Sequence, residues 1–414
     1  MLAWMLRFFS RRLSHVVACV AWQMLFRVGD GRRVSRSHIG FIDGLVAHSP
    51  SHSAGRTATM PRRSRSLDVP PTSGIVLKAA SVLPNGRLER GVIVLRNNER
   101  IENIRRLVAV DALQRDYFVV LEPSWGGYAG TGIIEWYRPS GPPLVVMSPA
   151  EADHRLIERL GGNLVPVRLG SGDWADPHRF RPLGRSVRCF DAIACARLHI
   201  HKRLHLLLDA VARIGDPAYR LIILASLGGD AGDTRGIRAL ILRRGLSAQV
   251  SIGTVESPEE VNDMLNDSKV NVLLSLREGA NRSIAEGLLS GTPCLVSAGH
   301  RSIRPDMVNP ETGRFVADHE LVDALRFFRT HWSDYAPRAW AMKNVTPAVS
   351  TALLNERLRS LEVNAGRPWT KDIVVKCNAP EVQYWPRDSV HESLPTLTDV
   401  LARYAVNAVG NVPA

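Results

Sequence analysis

The sequence predicts an α/β protein made of two doubly wound domains behind a basic extension. Three observations carry this. With 414 residues the chain is too long for one ordinary domain and long enough to bury two cores. From Ser73 onward, short β-branched and aliphatic runs alternate with segments of helical periodicity, the pattern of parallel strands joined by crossover helices. Residues 270–299, VNVLLSLREGANRSIAEGLLSGTPCLVSAG, read as one complete strand–helix–strand unit.

Residues 1–72 form the extension. Residues 1–70 hold eleven Arg against three Asp, so most of the chain's net charge of +13 sits at its head. With no aromatic-basic module behind it, this pattern argues against nucleic acid as a partner. Only six of the 53 basic residues are Lys, a bias that makes each lysine informative. In residues 1–28 the longest apolar run, Val16–Phe26, is too short to span a bilayer. The segment fits a basic amphipathic stretch lying on an anionic membrane, with Trp4, Phe8, Phe9 and Trp22 at the interface. An Arg-rich targeting peptide and a start codon placed upstream of the real one fit the same residues. Residues 29–72, rich in Ser, Arg, Gly, His and Pro, read as disordered linker. The five cysteines (19, 189, 195, 294 and 377) have no metal or disulfide spacing, and Cys189, Cys195 and Cys294 read as buried free thiols in a reducing compartment.

Residues 73–184 read as the first domain, with strands at Gly74–Ala80, Tyr117–Leu121, Leu144–Met147 and Leu164–Val167 in a parallel sheet. Helices are predicted at Ile101–Leu113 and Glu151–Leu160, where His154 reads as a surface histidine. After the second strand, Gly126 and Gly127 lie in a glycine-rich loop whose N–H groups can approach a phosphate or a sugar, although it matches neither a Walker nor a dinucleotide pattern.

Residues 185–340 read as the second domain. Strand Phe190–Ala196 is followed by Arg197-Leu-His-Ile-His-Lys202 and helix Leu204–Ile214, so two cations flank a strand-to-helix loop suited to a diphosphate. An isolated Arg–Lys pair is also common on any surface. Strands follow at Tyr219–Ala225, Val250–Ile252, Val270–Leu276 and Cys294–Ser297, with helices Arg235–Arg244 and Pro258–Asn266. In the 270–299 unit, Asn281 suits a helix N-cap, Ile284 and Leu288 share an apolar stripe, and Gly291 suits the C′ position. Glu278 falls in the loop at a strand's carboxyl end, where open parallel sheets bind ligands. Glu286 lies about two turns into the helix, either facing that ligand or as a solvated partner of Arg282. Residues 341–414 read as C-terminal helices and a tail.

The string Ser275-x-x-Glu278-Gly279, Glu286, Gly291-Thr292-Pro293 resembles the E-x7-E signature and following G-x-P turn of family 4 of the retaining glycosyltransferases (glycosyl transferases group 1). Arg197 and Lys202 are spaced as in its G-R-L-x-x-x-K-G pattern, with Ala196 and Arg203 replacing the glycines. Ser171-Gly172-Asp173-Trp174 with Phe180-Arg181-Pro182 resembles the segment that leads into the linker between the domains.

The resemblance implies a GT-B fold: two Rossmann-like doubly wound domains facing a cleft, with the final helices crossing back to the first. It implies a nucleotide-sugar donor, a glycan or lipid-linked acceptor, retention of configuration and no metal, in keeping with the absence of any D-x-D. Arg197 and Lys202 would neutralise the donor diphosphate, Glu286 would bind the ribose hydroxyls and Glu278 the transferred sugar. Gly279, Ala280, Asn281 and Arg282 would line the same site. The cell would use such an enzyme for surface polysaccharide or glycolipid, on the cytoplasmic side of the inner membrane. A glycosidase is set aside because Glu286 lies inside a helix beside a phosphate-type site. A non-catalytic GT-B protein of an assembly complex is the alternative.

Overall fold

The computed structural model describes residues 73–123, 133, 136–196, 198–226, 234–255, 257–279, 281–378, 381–386 and 394–406. The basic extension, Gly126, Gly127, Arg197 and Ala280 lie outside them. Two compact units are present. The first comprises the described residues up to Gly170, Thr351–Val375 and those from Tyr384 on, and the second comprises Ser171–Ser350 and Lys376–Gln383.

In the first unit β1 (Gly74–Lys78) leads through a ribbon of β2 (Ser81–Val82) and β3 (Leu88–Glu89) into β4 (Gly91–Arg96). Then come β5 (Tyr117–Glu122), β6 (Leu144–Met147) and β7 (Leu164–Val167). The sheet order is β1-β4-β5-β6-β7, with β4 to β7 parallel. The wholly parallel sheet expected from the sequence is corrected at β1, which pairs antiparallel with β4. The short ribbon between them is no crossover helix, so the chain turns back on itself. Strand β4, a buried Val92–Leu95 run, was not anticipated.

The helix expected over Ile101–Leu113 is two helices, Asn98–Leu107 and Val110–Asp116. A distant segment breaks it: the Ala109 N–H donates to the Tyr404 carbonyl at 2.7 Å, and the Val406 N–H donates to the Leu107 carbonyl at 2.9 Å. Leu397, Val400 and Leu401 join Val76, Ile93 and Leu113 in this unit's core. His154 is buried rather than on the surface, because its ring turns back over the end of β6, with Nδ1 3.1 Å from Ser148 Oγ.

The second unit holds β8 (Ala192–Ala196), β9 (Leu221–Ser226), β10 (Val250–Val255), β11 (Asn271–Leu273), β12 (Cys294–Ser297) and β13 (Gly313–Val316). They form one parallel sheet ordered β10-β9-β8-β11-β12-β13. The chain begins in the middle, winds to one edge, and returns to wind to the other. The order reverses between β8 and β11, the switch point where a doubly wound sheet opens a ligand crevice at its strands' carboxyl ends. Strand β13 was not anticipated, and β11 stops at Leu273, which leaves Leu274–Gly279 as the loop above it.

Helix Arg282–Leu289 is closed at both ends as its sequence predicts. The Asn281 side chain accepts from the Ile284 N–H. At the other end Gly291 takes φ 78°, its N–H donates to Leu288, and the Thr292 N–H reaches back to Gly287 at 2.8 Å. Arg188 donates to the Gly291 carbonyl at 3.0 Å and Arg338 to the Leu289 carbonyl at 2.6 Å, so cations face the negative end of the helix. Cys294 and Cys377 are buried and Cys195 is half-buried, but Cys189 is exposed, while neighbouring Arg188 reaches Thr292 and the Gly291 carbonyl. No helix among the described residues is long and apolar enough to cross a membrane.

Candidate functional site

Beyond β8 the chain passes Arg197 and a short 3-10 turn, Ile200–Lys202, before helix Leu204–Ile214. That helix start has no side-chain cap, and the Leu206 N–H turns back to the Arg203 carbonyl at 2.9 Å; a helix N-terminus is the end that favours an anion. Arg203 makes the corner at φ 55°, the left-handed conformation that glycine adopts most readily. Its guanidinium donates to the Leu274 carbonyl at 3.2 Å and pairs with Asp318, tying the turn to the loop after β11.

The corner delivers Lys202 to Glu278. Lys202 Nζ lies 2.5 Å from Glu278 Oε1, although the residues are 76 apart in sequence, and their side chains are 13% and 7% exposed. The Glu278 carboxylate is fully engaged. Ser275 Oγ also donates to Oε1, Asn281 Nδ2 donates to Oε2 at 2.7 Å, and the Glu278 N–H donates to Ser302 Oγ at 2.8 Å. Burial alone would raise this carboxyl, but the Lys202 charge and the three side-chain hydrogen bonds outweigh it and hold it below its ordinary value.

Glu286 is buried on the same helix that Asn281 caps. Arg282 Nη2 lies 3.0 Å from Glu286 Oε1 and also donates to the Asn378 carbonyl at 2.9 Å. The pairing foreseen from the sequence is present, but the acid is not solvated. Burial, and then the charge of Glu286, push the Cys195 thiol in β8 upward.

Behind the helix start stands the Ser171–Trp174 turn. A Cβ on Gly172 would lie 3.0 Å from the Asn281 carbonyl oxygen, so any larger residue would require that backbone to give by a few tenths of an ångström. Asn378 Nδ2 donates to the Ser171 carbonyl at 3.0 Å, Arg304 Nη1 reaches Asp173 Oδ1 at 2.7 Å, and Lys376 Nζ lies 3.8 Å from the centre of the Trp174 ring. The sequence reading took this turn for a boundary marker; it also walls the site.

Of the site residues expected from the sequence, Lys202 and Asn281 both contact Glu278, with Gly279 adjoining. Arg282 and Glu286 form a second, linked pair. His300 and Ser302 were missed, as single residues in the turn after β12 without a motif; only the loop's position at a strand's carboxyl end pointed to them. Among the described residues no three His, Cys, Asp or Glu side chains gather to hold a metal ion. The site therefore offers a half-buried cation beside an uncapped helix start, with the Glu278 carboxylate on it and Glu286 on the helix that Asn281 caps, an arrangement able to hold an anionic group and a hydroxylated one together.

Residues 182–330 match the family described as glycosyl transferases group 1. A search of curated proteins gives no match. Among solved structures, the chain is similar to sucrose-phosphate synthase from Thermosynechococcus elongatus, at 16% identity over 66% of this chain and 74% of that one, with a TM-score of 0.51. Anabaena HepE in complex with UDP and glucose aligns at 16% identity over 52% of this chain and 62% of that one, with a TM-score of 0.43. The pneumococcal O-GlcNAc transferase GtfA in complex with UDP and GlcNAc aligns at 13% identity over 60% and 53%, also with a TM-score of 0.43. The chain thus spans less than two thirds of the last two. Its fold is GT-B.

Proposed function

We propose that this chain is a glycosyltransferase that moves a sugar from a nucleotide-sugar to a glycan or lipid-linked acceptor, with retention of configuration. The observation that carries the reading is the part-buried Lys202–Glu278 pair at the switch point, within the segment that matches glycosyl transferases group 1. Breaking the bond between the sugar and the diphosphate leaves negative charge on the phosphate oxygens. Lys202, with Arg197, stabilises that charge as it develops, so no metal is called for. The Leu204–Ile214 helix start adds N–H donors.

In the unliganded chain Lys202 and Glu278 neutralise each other. Donor binding exchanges the carboxylate for phosphate on Lys202 and frees Glu278 for the transferred sugar. Glu286 takes the ribose hydroxyls, while Gly279, Ala280, Asn281 and Arg282 line the site. Gly126 and Gly127 offer backbone N–H groups in the first unit. The biological setting proposed is surface polysaccharide or glycolipid synthesis in a bacterial cytoplasm, with residues 1–28 resting on the anionic membrane.

The test is a binding and hydrolysis screen of UDP-, GDP- and ADP-sugars with the wild type, Lys202→Ala and Glu286→Ala. One nucleotide should bind, and each substitution should weaken it by about 1–3 kcal/mol, the range for losing a charge-assisted hydrogen bond. A folded wild type that binds none near millimolar concentration sinks the reading and favours a non-catalytic GT-B protein.

A further inference from the structure

The turn that follows β12 holds an acceptor without a donor. His300 is 9% exposed, and its Nδ1 lies 2.6 Å from the Ser275 carbonyl oxygen. A carbonyl can only accept, so Nδ1 carries the proton and donates it. Nε2 of the neutral ring is then a bare lone pair. It is buried and has no hydrogen-bond partner among the described residues. Leaving a buried polar atom unmatched is costly, and such atoms in native folds call for an explanation.

The surroundings supply one. Ser275, whose carbonyl orients His300, also donates its hydroxyl to Glu278, and Ser302 in the same turn receives the Glu278 N–H. The His300 turn and the Glu278 loop are thus held together as one wall. In the unliganded chain both Glu278 oxygens are occupied, by Lys202 and Ser275 on one side and Asn281 on the other, and donor binding releases only the Lys202 contact. Nε2 is the unfilled acceptor on this wall. It cannot serve a phosphate, which at neutral pH has almost no proton to donate. It suits a hydroxyl.

We propose that His300 is a specificity-determining residue whose Nε2 accepts a hydrogen bond from a hydroxyl of the sugar being transferred. This rests on the donor-site reading above. A donor whose sugar lacks that hydroxyl, or presents it with the opposite configuration, leaves the acceptor unmatched and is discriminated against.

The experiment uses the full chain and whichever of UDP-, GDP- or ADP-hexose binds it. Kd is measured for that nucleotide-sugar and for its nucleoside diphosphate alone, in the wild type, His300→Phe, His300→Asn and Lys202→Ala. His300→Phe keeps an aromatic ring without an acceptor; His300→Asn restores one. The expected result is that His300→Phe weakens the nucleotide-sugar about tenfold, leaves the nucleoside diphosphate within about twofold, and is partly rescued in His300→Asn. A monodeoxy sugar donor should then lose affinity for the wild type but not for His300→Phe. If both ligands weaken in parallel, His300 acts on the nucleotide or on the fold, and the assignment is overturned. It is equally overturned if neither weakens. Failure of the donor site itself looks different: the wild type binds neither ligand, or Lys202→Ala leaves both unchanged.

Discussion

The Arg203 guanidinium donates to the carbonyl of Leu274, and this one contact fixes the turn that carries Lys202 against the loop that carries Glu278. Arg203 does so from a left-handed backbone, φ 55°. Arg203→Ala should lose about 1–2 kcal/mol, through the hydrogen bond to Leu274 and a half-exposed pair with Asp318, and should keep the strained corner. Arg203→Gly loses the same contacts but relaxes the corner, so it should be about 1 kcal/mol more stable than the alanine variant. Urea midpoints of the two variants check the order.

Glu278→Gln should separate binding from turnover. Lys202 would no longer be neutralised, so affinity for the nucleoside diphosphate should rise by roughly tenfold. On the proposed reading, in which Glu278 faces the transferred sugar, sugar transfer should fall by about a hundredfold or more as that charge is lost. Calorimetric binding of the diphosphate set beside the transfer rate tests this; a fall in both would mean that the pair does not compete with phosphate.

Acid should weaken the first unit through Glu89. Burial acts to raise this carboxyl, but Lys78 and the hydroxyl and amide of Thr370 bring it down to about 2. A folded-state pKa below the unfolded value gives stability that is present above pH ~4.5 and drains away as pH falls towards 2. Lys78 stays charged across that window, so its own cost of burial does not change. The wild type should lose on the order of 3 kcal/mol more than Glu89→Gln between pH 6 and pH 2.5, measured by denaturant titration at each pH.

Gly172→Ala should damage the site more than the fold. The new methyl group would press on the Asn281 carbonyl from 3.0 Å and tilt the cap that holds Glu278. A stability loss of about 1 kcal/mol with a several-fold weaker donor Kd is expected, measured by thermal unfolding and by nucleotide-sugar binding.

Much of the second unit was legible because its information is local. Leu204–Ile214, Pro258–Asn266 and the cap residues Asn281 and Gly291 each follow from a few neighbouring side chains, and the structure has them as read. A family resemblance rather than spacing put Lys202 and Glu278 in one site, since no local rule connects two loops 76 residues apart, and the ion pair between them was not foreseen. What escaped was non-local. The helix break at Ala109 is made by Tyr404, the inward ring of His154 by Ser148, and the reversed direction of β1 by a ribbon too short to cross over. His300 escaped because its meaning lies in the one hydrogen bond it does not make.

The first unit draws its core from both ends of the described chain, and this bears on the order in which a ribosome delivers the protein. By Ser350 nearly all of the second unit has been synthesised, with only Lys376–Gln383 outstanding. The first unit, begun earlier, still lacks Leu397, Val400 and Leu401 and the backbone that closes Leu107 and Ala109. The first unit is therefore the last to become complete, and nascent chains halted between about residues 384 and 400 should carry a finished second unit and an unsealed, chaperone-binding first one.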